Sequence, residues 1–152
     1  MHKNIIVLGL GNILLKDEGI GVHIAQEMVK KSLPENVKVI DAGTASLYAF
    51  SKLKNINKLI IVDAVRGGKK PGTVYRMDSR DLPAPACPDS AYLSLHHINV
   101  SNVLRITEKM GNVPEETVII GVEPKEIDWG MELTPDIKQK VPDIVNTVLE
   151  EL

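Results

Sequence analysis

Two carboxylates and one imidazole have the types and positions for metal chemistry. Glu18 lies in the stretch Gly9-Leu10-Gly11-Asn12-Ile13-Leu14-Leu15-Lys16-Asp17-Glu18-Gly19-Ile20-Gly21. Asp63 closes the apolar run Leu59-Ile60-Ile61-Val62. His96 heads the pair His96-His97. A carboxylate at the end of a buried run has to be paired, hydrogen-bonded or coordinated to a cation to offset its desolvation. Two carboxylates and an imidazole form an O,O,N donor set with open positions, which fits a divalent borderline metal such as nickel or zinc. Each residue also has a plainer reading. Asp17 and Glu18 before a helix stabilise its N-terminus by about 0.3–1 kcal/mol. Asp63 fits a cap or an ion pair to Arg66, and a loop histidine is commonly just solvated. Adjacent histidines rarely face one site, so at most one of His96 and His97 serves as a ligand.

These residues need elements to hold them. Residues 4–10, 58–64 and 117–122 are near-continuous apolar runs of strand length, as expected of strands buried on both faces. Residues 37–40 form a shorter strand ending in Asp41-Ala42-Gly43. Residues 72–77 follow the turn-like Gly67-Gly68-Lys69-Lys70-Pro71 and read as an antiparallel edge strand. Helical spacing places Ile20, Ile24 and Met28 on one stripe within 20–31, and Val100, Val103 and Leu104 on another within 98–110. Residues 46–54 form a third helix, with Thr44 as its cap. Thr134-Pro135-Asp136 has the form of an N-cap followed by proline, opening a helix that runs to the C-terminus and is kinked by Pro142. Alternating strands and helices predict one domain over 1–152, a three-layer α/β/α fold with a mostly parallel, twisted sheet. Ligands of such sheets bind at the carboxyl ends of the strands. That is where the junctions at 9–21, 41–44 and 63–66 fall.

Composition removes several classes. The chain has 152 residues, 43% hydrophobic and 25% charged, with net charge −2. There is no basic surplus to drive binding to a nucleic-acid backbone. No apolar run is long enough to span a bilayer, and the N-terminus lacks the apolar length of a signal peptide. Cys87 is the single cysteine, which excludes an internal disulfide and a cysteine-based zinc cluster. It lies in a proline-rich loop and reads as incidental. These features point to the cytoplasm. His-Glu-x-x-His and Gly-x-Ser-x-Gly are both absent, against an ordinary zinc protease or a serine hydrolase. Gly9-x-Gly11 after a strand suggests a nucleotide-binding oxidoreductase, but Leu14 stands where the third glycine belongs.

The first stretch closely resembles the N-terminal motif of the nickel–iron hydrogenase maturation endopeptidases. Asp41-x-Gly43-Thr44-Ala45 is similar to their second motif, and Leu59-Ile60-Ile61-Val62-Asp63-Ala64 with Pro71-Gly72-Thr73 to their third. His96 falls where the family places its histidine, and Gly121-Val122-x-Pro124 and Leu133-Thr134-Pro135 match the C-terminal segments. Ala42 stands where many members have glycine, and residues 79–93 diverge from the family pattern. The resemblance implies a five-stranded twisted sheet between helices. It implies an endopeptidase that removes the C-terminal extension of a nickel-loaded hydrogenase large-subunit precursor. Glu18, Asp63 and His96 would grip the metal, with Asn12, Asp17, Gly43 and Thr44 contacting substrate. Nickel would arrive with the substrate, so no resident cofactor is implied. Glu18 and Asp63 are also the candidates for a general base, with metal activation of the water as the alternative. A non-enzymatic alternative is a nickel-dependent chaperone that binds the precursor without cutting it.

Overall fold

The computed structural model describes residues 3–42, 54–81, 100–109, 111 and 113–152. Its strands are β1 (Ile5–Gly9), β2 (Val37–Asp41), β3 (Lys58–Ala64), β4 (Val74–Asp78) and β5 (Glu116–Val122). They form one sheet in the order β2-β1-β3-β5-β4. The pairs β1–β2, β1–β3 and β3–β5 are parallel, and β4 closes the edge antiparallel to β5. The predicted sheet is therefore observed, including the reversed edge strand. β1, the middle of β3 and most of β5 are buried, as strands covered on both faces must be.

The helices are α1 (Ile20–Met28), α2 (Val100–Lys109), α3 (Pro135–Lys138) and α4 (Val141–Glu150). One face of the sheet carries Val7, Ile60, Val62, Val118 and Ile120, packed with Ile20 and Ile24 of α1 and Ile144 and Val148 of α4. The other carries Ile6, Leu8, Leu59, Ile61 and Ile119, with Leu104 of α2 against them. Alternation along each strand thus divides the core into two layers. At the amino edge Glu151 accepts from Lys58 at 3.1 Å and pairs with Arg76, tying the end of α4 to β3 and β4.

The C-terminal region departs from expectation in two ways. Residues 135–150 form two helices rather than one kinked helix, and Pro142 sits in the first turn of the second. A proline there removes no helical hydrogen bond, because the first-turn N–H groups have no intrahelical acceptor. Thr134 precedes α3 but its side chain does not cap it. Its hydroxyl is committed to Asp17 instead. The predicted helix over 46–54 falls almost wholly outside the described residues. Among the described residues, no helix is long and apolar enough to cross a membrane.

Candidate active site at the carboxyl rim

The strand register aligns Asp41, Gly9 and Val62 at the carboxyl end of the sheet, with Asp63 one residue beyond. Leu10 donates its N–H to Val62 O at 2.8 Å, so the chain leaving β1 stays against β3. α1 is then pressed onto these strand ends. A Cβ at Gly21 would overlap the carbonyl oxygens of both Val62 and Leu10, and one at Gly9 would overlap Gly21 O. The two glycines permit backbone-to-backbone contact that no larger residue allows. This contact also accounts for the glycine pattern that suggested a nucleotide site.

A 3-10 turn, Lys16–Gly19, precedes α1 and packs against β3. Gly11, at φ +130°, lies directly against the carbonyl of Glu18. Glu18, partly buried, is thereby held at the same rim as Asp63. Asp63 is also partly buried, and its Oδ1 accepts the Ala64 N–H at 2.8 Å. The structure thus brings two of the three expected metal ligands to one edge. His96 lies outside the described residues, as do His97, Gly43, Thr44 and Cys87. Among the described residues, no cluster of three His, Cys, Asp or Glu side chains is placed to hold a metal ion.

Asp17, expected to contact substrate, is bonded within the protein. It is 0% exposed. Its Oδ1 accepts the Thr134 N–H at 2.8 Å. Its Oδ2 accepts the Thr134 hydroxyl at 2.7 Å and the N–H groups of Lys125 and Glu126 at 3.0 Å each. Both oxygens are committed to the segment 125–134, so no face of the carboxylate is left for a ligand. Backbone pairing extends the clamp: Lys16 N–H donates to Gly130 O at 2.8 Å and Gly130 N–H to Leu14 O at 2.9 Å. Asn12 likewise serves its own turn, its Oδ1 accepting the Leu14 N–H at 2.9 Å.

Two further polar groups escaped the sequence reading. Glu123, 4% exposed, immediately follows β5, whereas Asp63 is the next-to-last residue of β3. Its Oε1 accepts the N–H groups of Gly67 and Lys69 and the Tyr75 hydroxyl, at 2.8–3.0 Å. Burial pushes its carboxyl up. The Tyr75 hydroxyl and the backbone N–H groups of Lys69, Gly67 and Gly68 outweigh that and hold it below the ordinary value. Like Asp63, Glu123 is a carboxylate at the end of a buried apolar run, so the same need for a partner applies to it. The second group is His23 on α1, whose Nε2 is buried without a hydrogen-bond partner. Burial lowers its pKa from 6.5, against the upward pull of Asp17, Asp41 and Glu27.

With this geometry in place, the comparisons with known proteins are specific. The family model described as hydrogenase maturation protease matches residues 22–151. A protein named hydrogenase 2 maturation protease, from Escherichia coli strain K12, is 33% identical over 150 residues, covering 97% of this chain and 90% of that one. A hydrogenase expression/formation protein, HupD, from Bradyrhizobium diazoefficiens is 33% identical over 152 residues, 99% of this chain and 78% of the relative. Among solved structures, the hydrogenase maturating endopeptidase HybD from E. coli superposes with a TM-score of 0.80 at 30% identity, covering 98% of this chain and 91% of that one.

Proposed function

The chain belongs to the hydrogenase maturation protease family, a family of peptidases, and we propose that it removes the C-terminal extension of a nickel-loaded hydrogenase large-subunit precursor in the cytoplasm. The observation that supports this most directly is the shared carboxyl rim. Gly9 and Gly21 bring α1 onto β1 and β3, and the turn carrying Glu18 packs against the strand that carries Asp63. In this proposal His96 completes the grip, and the nickel is part of the substrate. Three protein ligands would leave open positions for the precursor's own donors. Docking through the metal would fix the scissile peptide beside the rim, converting hydrolysis into an oriented reaction. Water then adds to the scissile carbonyl carbon, the C–N bond breaks, and the departing amine takes up a proton. Glu18 or Asp63 would accept the proton of the attacking water, unless the metal alone polarises it.

The test follows the mass of a nickel-loaded precursor incubated with the protein. Loss of a C-terminal peptide is the expected result. Glu18→Gln and Asp63→Asn should each slow that loss by about a hundredfold or more, in the range of a lost general base. Full-rate truncation by both variants refutes the assignment of these ligands. Tight binding with no truncation would refute the protease role and leave the chaperone alternative.

A further inference from the structure

The loop leaving β3 beyond Asp63 carries a feature that the reaction above does not use. Between Ala64 and Thr73 the chain reads Val65-Arg66-Gly67-Gly68-Lys69-Lys70-Pro71-Gly72, three cations and no acid in a protein of net charge −2. Arg66, Lys69 and Lys70 are exposed. A fourth cation joins them, because exposed Lys140 lies with its aliphatic stem beside Gly72, about 3.1 Å from where a Cβ would sit. Among the described residues, none of the four forms an ion pair, whereas Lys16, Lys30, Lys58, Arg76, Arg80 and Lys125 all do.

The loop is also held in shape from beneath. The Glu123 carboxylate binds the N–H groups of Gly67 and Lys69, and Gly72 donates to Glu123 O at 2.8 Å. Tyr75 supports Gly67 from below, and the Lys69 ammonium lies 5.9 Å from the centre of its ring. The buried carboxylate holds the backbone, so the cations are left facing outward. Concentrating unpaired like charges on a fixed loop costs self-repulsion, which a partner of opposite charge relieves.

We propose that this loop is an electrostatic docking surface for an acidic segment of the polypeptide substrate. The inference rests on the protease reading, because it places the partner's acidic segment beside the rim that receives its metal. The charge pattern then has two parts. Glu18, Asp41 and Asp63 lie on segments at the carboxyl end of the sheet, where the substrate's cation would dock, and Arg66, Lys69, Lys70 and Lys140 would meet its acids. Such flanking charges act mainly on encounter and register, and salt weakens them.

The test compares wild type with the triple variant Arg66→Gln/Lys69→Gln/Lys70→Gln on the nickel-loaded precursor at about 50 mM and about 500 mM salt, where screening differs several-fold. The triple variant should raise KM about tenfold at low salt, the loss in kcat/KM being carried by KM, and the gap should close at high salt. A charge-matched control, Lys31→Gln/Lys38→Gln/Lys109→Gln, should leave KM within about twofold of wild type. Unfolding midpoints of the loop variant should stay at the wild-type value, since Glu123 binds backbone rather than these side chains. An unaltered KM at low salt overturns the inference, and so does a tenfold rise in the control. Tighter retention of wild type by duplex DNA than by the precursor at about 150 mM salt overturns it as well. If wild type binds the precursor without cutting it, the protease reading fails, and the same comparison of Kd values decides the loop. If wild type neither binds nor cuts, both fall.

Discussion

Replacing Asp17 by asparagine tests the clamp on which the position of Glu18 depends. The carboxylate is fully buried and accepts four hydrogen bonds. The best-placed asparagine puts its amide oxygen at the Oδ2 site and keeps three of them. Its NH2 then faces the Thr134 N–H, donor against donor, and one bond is lost with an N–H left unsatisfied. That loss costs about 1–3 kcal/mol. The three retained bonds become neutral and each weakens by about 1 kcal/mol. Against this, a buried amide is less costly to desolvate than a carboxylate, which returns part of the loss. The net is a destabilisation of about 2–4 kcal/mol, which for a domain of this size lowers Tm by roughly 5–15 °C. Urea unfolding should show the loss in the midpoint with an unchanged m-value. Thr134→Val removes only the hydroxyl donor and should cost about 1–2 kcal/mol, and the double variant should lose less than the sum because the two share a bond. A Asp17→Asn protein within 0.5 kcal/mol of wild type, at the scale of an ordinary surface change, would refute the clamp. Unchanged stability with processing abolished would restore Asp17 as a substrate contact.

Gly21→Ala should cost more than about 3 kcal/mol or prevent folding, since its Cβ would overlap backbone on two elements, whereas Gly68→Ala meets no neighbour and pays only for its φ of +81°; soluble yield and Tm separate the two. Glu123→Gln should cost about 1–3 kcal/mol in urea unfolding. Because the folded Glu123 carboxyl titrates below its ordinary value of 4.5, its stabilisation is present above that pH and is lost as pH falls through the folded value. The acid limb of stability against pH should therefore be shallower in the variant. The folded His23 pKa is likewise lowered, so the unfolded chain takes up the proton first, and stability should fall as pH drops below 6.5. Unfolding between pH 7.5 and 5.5 should show that decline in wild type and a flatter curve in His23→Leu.

The sheet was legible because burial on both faces writes itself as an unbroken apolar run. The bounds of β3 match the predicted 58–64, and the weaker run at 72–77 was rightly assigned to a reversed edge. That Glu18 and Asp63 lie at the carboxyl end of the sheet was legible, because one falls in the turn between β1 and α1 and the other near the end of the apolar run of β3. The fate of Asp17 was not. Its partner Thr134 is 117 residues away, and no local pattern says which of two adjacent acids turns inward. The helix start was legible, with Thr134 at the N-cap position and Pro135 next, but nothing local says that the Thr134 hydroxyl bonds Asp17 rather than the helix. His23 was passed over because a histidine on a helix facing a distant segment leaves no mark in spacing.

Asp17 is fully buried and Glu18 partly buried, and that contrast bears on how the metal of the proposed reaction would be gripped. A ligand loop is often ordered by the ion it binds, so the binding energy pays for the ordering. Here the turn carrying Glu18 is ordered by other means. Asp17 pins it to 125–134, Gly11 packs against the Glu18 carbonyl, and Gly21 seats the following helix on Leu10 and Val62. A cradle organised in this way presents its carboxylate before the substrate arrives, and spends none of the docking energy on folding a loop. This is what a protein needs when the ion belongs to its substrate and leaves with it. The consequences of losing each acid therefore differ. Loss of Glu18 should lower processing more than it lowers stability. Loss of Asp17 should loosen the turn, so processing should fall in proportion to the stability lost and recover on cooling towards the temperature of maximum stability.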